Sequence, residues 1–234
     1  MIFPMPDLSK KFKQAQDKIN NLDERPDNAT SLRLYALYKT VEYLTRQQIP
    51  GDFVECGVWK GGSVMMMALA LQKFGDMTRR IHCFDTFEGM TAPTEFDVHR
   101  DTKESASVTL ARSERREDNL WVIAPLEVVQ RNMAGTGYPT DLVTYHRGKV
   151  EDTLPGSAPG QIALLRLDTD WYESTKHELI HLYPPLVRGG ILIVDDYGEW
   201  QGARKAVDEF LGETKPRLFL SRIDQTGRIA VKLD

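Results

Sequence analysis

Cysteine is nearly absent. The 234 residues hold two, Cys56 and Cys83, too few for a disulfide framework and not spaced as a zinc knuckle. No apolar run nears the roughly 20 residues of a membrane span. Met1–Asp7 carry neither a basic n-region nor an apolar h-region, so no leader peptide is expected. Charge of one sign is also lacking: the net charge is −4, which argues against a general nucleic-acid binder. Internal repeats and low-complexity linkers are missing too. What is present, 41% hydrophobic residues, suffices for a full core. The length suits a single domain over 1–234. The expectation is a cytoplasmic enzyme that engages neither membrane nor nucleic acid.

Five continuous apolar runs stand out: Phe53–Cys56, Ile81–Phe84, Leu142–His146, Ile162–Leu167 and Ile191–Val194. Continuous rather than alternating runs suit strands buried on both faces. Helical patterns follow three of them, at Ser63–Phe74, Glu173–Tyr183 and Gln201–Leu211, with Ser63 a candidate cap over Gly61-Gly62. This alternation predicts a mostly parallel α/β sheet with right-handed crossovers. Arg217–Leu220 and Arg228–Val231, joined by the turn-like Asp224–Gly227, predict a terminal hairpin. Before the first strand, Leu34, Leu37, Tyr38, Val41 and Leu44 recur at helical spacing. They predict an amphipathic helix within an N-terminal helical segment of about residues 1–48, covering the sheet or the active site. Thr91–Asn119 is charged and shows no strand pattern, which is the character of a lid-like insertion.

In an open parallel sheet the ligand lies beyond the carboxyl ends of the strands. Acids cluster there: Glu55 closes the first run, Asp85 the second, Asp168 the fourth, Asp195 and Asp196 the fifth. The first turn, Glu55-Cys56-Gly57-Val58-Trp59-Lys60-Gly61-Gly62-Ser63, is glycine-rich but lacks the G-x-G-x-x-G spacing, so a dinucleotide is not indicated. Asp85 suits a ribose diol. Glu55 suits a cationic or amine-bearing ligand, and S-adenosylmethionine offers an ammonium, a sulfonium and a ribose. Asp168, Asp195 and Asp196 are hard oxygen donors suited to Mg²⁺, with helix capping as the competing use of one of the last two. Cys56, Cys83, His82 and His146 read as packing residues. His177 and His181 lack a third ligand. His99, in the insertion, is a candidate substrate contact.

The chain resembles the macrocin O-methyltransferase family of S-adenosylmethionine-dependent enzymes. The resembling segments are Arg33–Tyr38, Gly51–Ser63, Phe84–Met90, Glu151–Pro155, Leu167–Tyr172 and Gly189–Tyr197. The resemblance implies a Rossmann-like class I methyltransferase fold, with a mostly parallel seven-stranded sheet, a C-terminal antiparallel hairpin and helices on both faces. It implies S-adenosylmethionine and Mg²⁺ as cofactors and a small-molecule glycoside or sugar acceptor, and it leaves room for a homo-oligomer. Glu55, Gly57, Val58, Gly61 and Ser63 would surround the methionine part, Asp85 with Thr86 and Gly89 the ribose, and Val150, Glu151 and Asp152 the adenine. Asp168, Asp195 and Asp196 would hold the metal, Asp168 doubling as the catalytic base. His99, Trp171, Tyr172 and Tyr197 would meet the acceptor. The competing readings are a metal-dependent hydrolase, which would not need the Glu55 and Asp85 pocket, and an inactive nucleoside-binding module.

Overall fold

The computed structural model describes residues 29–114 and 120–234. Of the N-terminal helical segment only the part from Ala29 onward falls within them, and residues 115–119 of the insertion fall outside. Helix α1 (Ala29–Arg46) precedes β1 (Asp52–Cys56), α2 (Gly62–Phe74) and β2 (Ile81–Asp85). The insertion contributes α3 (Ala106–Arg112) and is followed by α4 (Leu126–Ala134), β3 (Val143–Arg147) and the single turn α5 (Val150–Thr153). Then come β4 (Ile162–Leu167), α6 (Tyr172–Leu182), β5 (Leu186–Val194), α7 (Gln201–Thr214), β6 (Leu218–Arg222) and β7 (Arg228–Lys232).

The seven strands lie in the order β3-β2-β1-β4-β5-β7-β6. The first five are parallel, and β7 runs antiparallel between β5 and β6. The continuous runs are buried on both faces, as expected: β4 is buried at all six positions. One face packs Phe53, Leu164 and Ile193 under α1 and α2; the other packs Val54, Leu165 and Val194 under α6 and α7. Leu37, Val41 and Leu44 of α1 are fully enclosed against the first face. The hairpin turn is where it was expected, with Asp224 Oδ1 accepting from the backbone N–H of Thr226 at 2.9 Å and of Gly227 at 2.6 Å. Among the described residues, no helix is long and apolar enough to cross a membrane.

One local expectation is corrected. Ser63 does not cap α2. The helix begins one residue earlier, at Gly62, and its cap is Gly61 in left-handed conformation (φ 85°) with no side-chain hydrogen bond. As expected, the described part of the insertion holds no strand; isolated bridges and side-chain packing tie it to its neighbours. Val98 bridges Ser105 and His99 bridges Trp200, while Ala106 and Leu110 of α3 pack on Trp171 and Trp200. Its anchor is Asp97, fully buried, which accepts from Thr94 N (2.6 Å), Thr94 Oγ1 (2.9 Å) and Tyr172 N (2.8 Å). Gly202, in the first turn of α7, has to be glycine because a Cβ there would stand 1.9 Å from Asp97 Oδ1. A buried carboxylate is tolerated only when its oxygens are hydrogen-bonded, and the insertion satisfies this with its own turn and the first N–H of α6.

Candidate active site

Strand order reverses between β1 and β4, and such a switch point opens a crevice at the carboxyl edge. Register sets its contents. Phe84 pairs with Cys56, Cys56 with Leu167, and Leu167 with Val194. The next residues, Asp85, Gly57, Asp168 and Asp195, therefore end four neighbouring strands in one row. The ladder continues through them: Gly57 N donates to Phe84 O (2.9 Å), Asp168 N to Cys56 O (2.8 Å) and Asp195 N to Leu167 O (2.9 Å). Gly57 takes φ 80°, and a Cβ there would lie 2.0 Å from the carbonyl oxygen of Asp168, so only glycine lets the two strand ends meet.

A cleft of about 780 Å³, counting its open mouth, lies over this row. Of the residues expected around a cofactor, Gly57, Asp85, Thr86, Gly89, Val150 and Glu151 line it. Glu55, Val58, Gly61, Ser63 and Asp152 do not. Val58 contributes its backbone instead: Asp85 Oδ2 accepts from Val58 N (2.6 Å) and Trp59 N (3.1 Å), while Oδ1 accepts from Phe87 N (2.7 Å). Lys149, Met90, Thr91, Val122 and Asp170 also line the cleft and were not singled out from the sequence.

Glu55 sits beneath the cleft, 1% exposed. It is the cross-strand neighbour of Arg166, and the two pair directly. Burial pushes its carboxyl up to about 7, against the pull of Arg166. Arg166 is a further residue that sequence reasoning missed. It looks like an oddity inside an apolar run, yet its Nη1 also donates to Asp168 Oδ2 (2.7 Å), and its Nη2 lies in ionic contact with Asp195 Oδ1 at 2.9 Å without hydrogen-bond alignment. Burial opposes its charge, but Asp168, Asp195 and Glu55 outweigh that and hold it protonated. Arg33, from α1, donates to the other oxygen of Asp195.

Asp168, Asp195 and Asp196 do converge, with one ligand atom from each within 4.8 Å of the others. Helix capping does not account for Asp195 or Asp196, since α7 is preceded by Trp200 with no side-chain cap. Asp170 joins the cluster through a left-handed turn (φ 67°) and hydrogen-bonds Asp196. Burial, then the neighbouring carboxylates, push Asp168, Asp170 and Asp196 upward. Among the described residues, five carboxyl groups thus face two guanidiniums, and a divalent cation answers that imbalance. The donor set fits Mg²⁺, and Asp195 Oδ1 is buried without a hydrogen-bond partner. The nucleoside side fits as well: Glu151 Oε2, on the cleft, and Glu55 Oε2 are buried acceptors with no donor.

The four residues expected against an acceptor do not line this cleft. Trp171 is 1% exposed and donates through Nε1 to Thr91 O (3.1 Å). Tyr172 is buried, with its hydroxyl on Glu209 Oε2 (2.7 Å). His99 stands edge-on to Trp200, with centroids 5.5 Å apart. These three bind the insertion to α6 and α7. Tyr197 lines a separate surface depression with Arg100, Lys103, Arg204 and Lys205.

A Rossmann-like sheet with this strand order and a carboxylate-rimmed cleft at its switch point defines a class I, S-adenosylmethionine-dependent O-methyltransferase. Residues 7–231 match the family described as Macrocin-O-methyltransferase (TylF), and the chain belongs to that family. It is similar to the 8-demethyl-8-(2,3-dimethoxy-alpha-L-rhamnosyl)-tetracenomycin-C 4'-O-methyltransferase of Streptomyces olivaceus, 39% identical over 83% of this chain and 71% of that protein. It is similar also to the demethyldecarbamoylnovobiocin O-methyltransferase of Streptomyces niveus, 32% identical over 86% and 75%. Among solved structures, the O-methyltransferase NovP superposes with a TM-score of 0.73 at 30% identity, covering 87% of this chain and 81% of that one.

Proposed function

We propose that the protein methylates a sugar hydroxyl of a glycosylated natural product, with Mg²⁺ held by Asp168, Asp195 and Asp196. The observation that carries this reading is the convergence of those three carboxylates beside the cleft, with too few cations around them among the described residues. The rhamnosyl acceptor in the name of the Streptomyces olivaceus relative supports the sugar. When bound, S-adenosylmethionine supplies an electrophilic sulfonium methyl, and Mg²⁺ lowers the pKa of an adjacent hydroxyl.

The chain's residues divide the remaining work. Asp85 takes the ribose and Glu151 the adenine side, while Gly57 lets the cofactor lie against the strand ends. Asp168 belongs to the metal. The expected second role of Asp168, as base, suits it poorly, because Oδ2 is committed to Arg166 at 2.7 Å. Asp170 lines the same cleft, and among the described residues no ion pair ties it down. Burial and acidic neighbours raise its carboxyl, as they do that of Asp168, so freedom from Arg166 is what favours Asp170 as the group that takes the proton.

The metal is tested by methyl transfer to a glycoside bearing adjacent hydroxyls, with chelator and then Mg²⁺ added. Chelator is expected to abolish turnover and Mg²⁺ to restore it. Asp195→Asn is expected to weaken metal binding and turnover while leaving S-adenosylhomocysteine affinity intact. Full activity in excess chelator would remove the metal from the reaction.

The insertion is proposed to close over the acceptor. Because Asp97 fixes its root, movement is expected in α3 and in Leu120–Ala124 rather than at residues 94–97. Hydrogen exchange should show α3 slowing when S-adenosylhomocysteine and acceptor are both present. Equal protection with and without them would make α3 a permanent structural element.

A further inference from the structure

Arg33 reaches from α1 into the carboxylate cluster, and its three donor nitrogens part to three acceptors. Nη1 donates to Asp195 Oδ2, Nε to Asp224 Oδ2 at 2.8 Å, and Nη2 to Thr226 Oγ1. Asp224 and Thr226 belong to the β6–β7 turn, which is itself fixed by the Asp224 hydrogen bonds to Thr226 N and Gly227 N. The guanidinium plane is therefore set by groups outside the carboxylate trio, and one arm is left for Asp195. Among the described residues, Asp195 is the only member of the trio held by cations from two different elements. Asp168 has Arg166, and Asp196 has Asp170.

We propose that Arg33 is a positioning residue for the metal centre, holding the Asp195 carboxylate in its ligating orientation so that assembly of the metal site depends on docked α1. The inference rests on the metal reading above. Two effects oppose each other here. A carboxylate locked before the ion arrives gives up no rotamer freedom on binding, and removing such outer partners commonly weakens metal affinity 10- to 100-fold. Against this, a guanidinium beside the site would repel a divalent ion. Asp224 offsets that repulsion: it pairs with Arg33 through Nε while Nη1 serves Asp195, so the ion meets a compensated pair rather than a bare charge. Orientation is then the larger effect.

Mn²⁺ binding to the whole protein, followed by calorimetry, tests this independently of turnover, with S-adenosylhomocysteine affinity measured in parallel. Arg33→Met is expected to weaken Mn²⁺ about tenfold and to leave S-adenosylhomocysteine affinity within about twofold. Arg33→Lys should recover part of the loss, because one ammonium can hold Asp195 but cannot also span Asp224 and Thr226. Asp224→Asn substitutes no residue of α1 or of the trio and removes only the charge that pairs with Arg33 Nε, and so serves even if the Arg33 variants fold poorly. It is expected to weaken Mn²⁺ by a smaller factor. Wild-type Mn²⁺ binding with unchanged or tighter binding in Arg33→Met and Asp224→Asn overturns the positioning role and spares the metal reading. No Mn²⁺ binding by the wild type, with or without S-adenosylhomocysteine, overturns both.

Discussion

Asp85→Ala is expected to weaken S-adenosylhomocysteine binding by about 100- to 10,000-fold, the effect of losing two charge-assisted hydrogen bonds at about 1.5–3 kcal/mol each. The carboxylate already accepts three backbone N–H groups, from Val58, Trp59 and Phe87. It therefore braces the β1 turn against the β2 turn, and a carboxylate has about four lone-pair sites for such bonds. The ribose hydroxyls must share these oxygens with the backbone. Asp85→Asn separates the two duties, because the amide keeps one acceptor oxygen but no charge. It should retain more thermal stability than the alanine variant while still losing most of the ribose energy. Calorimetry with S-adenosylhomocysteine, beside a melting curve, distinguishes the outcomes. Unchanged affinity in a folded Asp85→Ala protein would leave Asp85 as a brace alone and place the ribose elsewhere.

The architecture is legible in the sequence because its strands are buried on both faces and so read as unbroken apolar runs. Phe53–Cys56 and Ile191–Val194 fall inside β1 and β5 without ambiguity. The carboxylate trio is legible for a related reason: an acid directly after an apolar run stands at a strand end, and parallel strands in register put those ends together. What stays hidden is whatever depends on alternation within a run or on a turn's handedness. Arg166 occupies a run that hydropathy alone assigns to the core, and only its pairing with Glu55 across the β1–β4 ladder shows that it knits three acids together. Asp170 reaches the cluster because residue 170 adopts φ 67°, which no hydropathy pattern announces. Trp171 and Tyr172 show the converse. Their place beside Asp168 in the sequence suggests substrate contact, but the chain turns them away to lock the insertion, whose buried Asp97 looks like one more acid in a charged stretch.

Asp170→Asn is expected to lower turnover about 100- to 10,000-fold, the usual worth of a positioned general base, with little change in S-adenosylhomocysteine or Mn²⁺ affinity. The amide is nearly isosteric and keeps an acceptor for Asp196, but it cannot take a proton. Asp168→Asn provides the contrast. It alters a proposed metal ligand and also loosens Arg166 from one partner, so its loss should appear first as weaker metal binding and should shrink as Mg²⁺ is raised. If Asp170 is the base, saturating Mg²⁺ rescues part of the Asp168→Asn defect and none of the Asp170→Asn defect. The metal dependence of kcat in the two variants decides between the carboxylates. Rescue of Asp170→Asn by metal, with Asp168→Asn inert at every concentration, would return the proton to Asp168. That result would mean that its bond to Arg166 breaks in the reacting complex, leaving Glu55 and Asp195 to hold the guanidinium while Oδ2 turns to the acceptor hydroxyl.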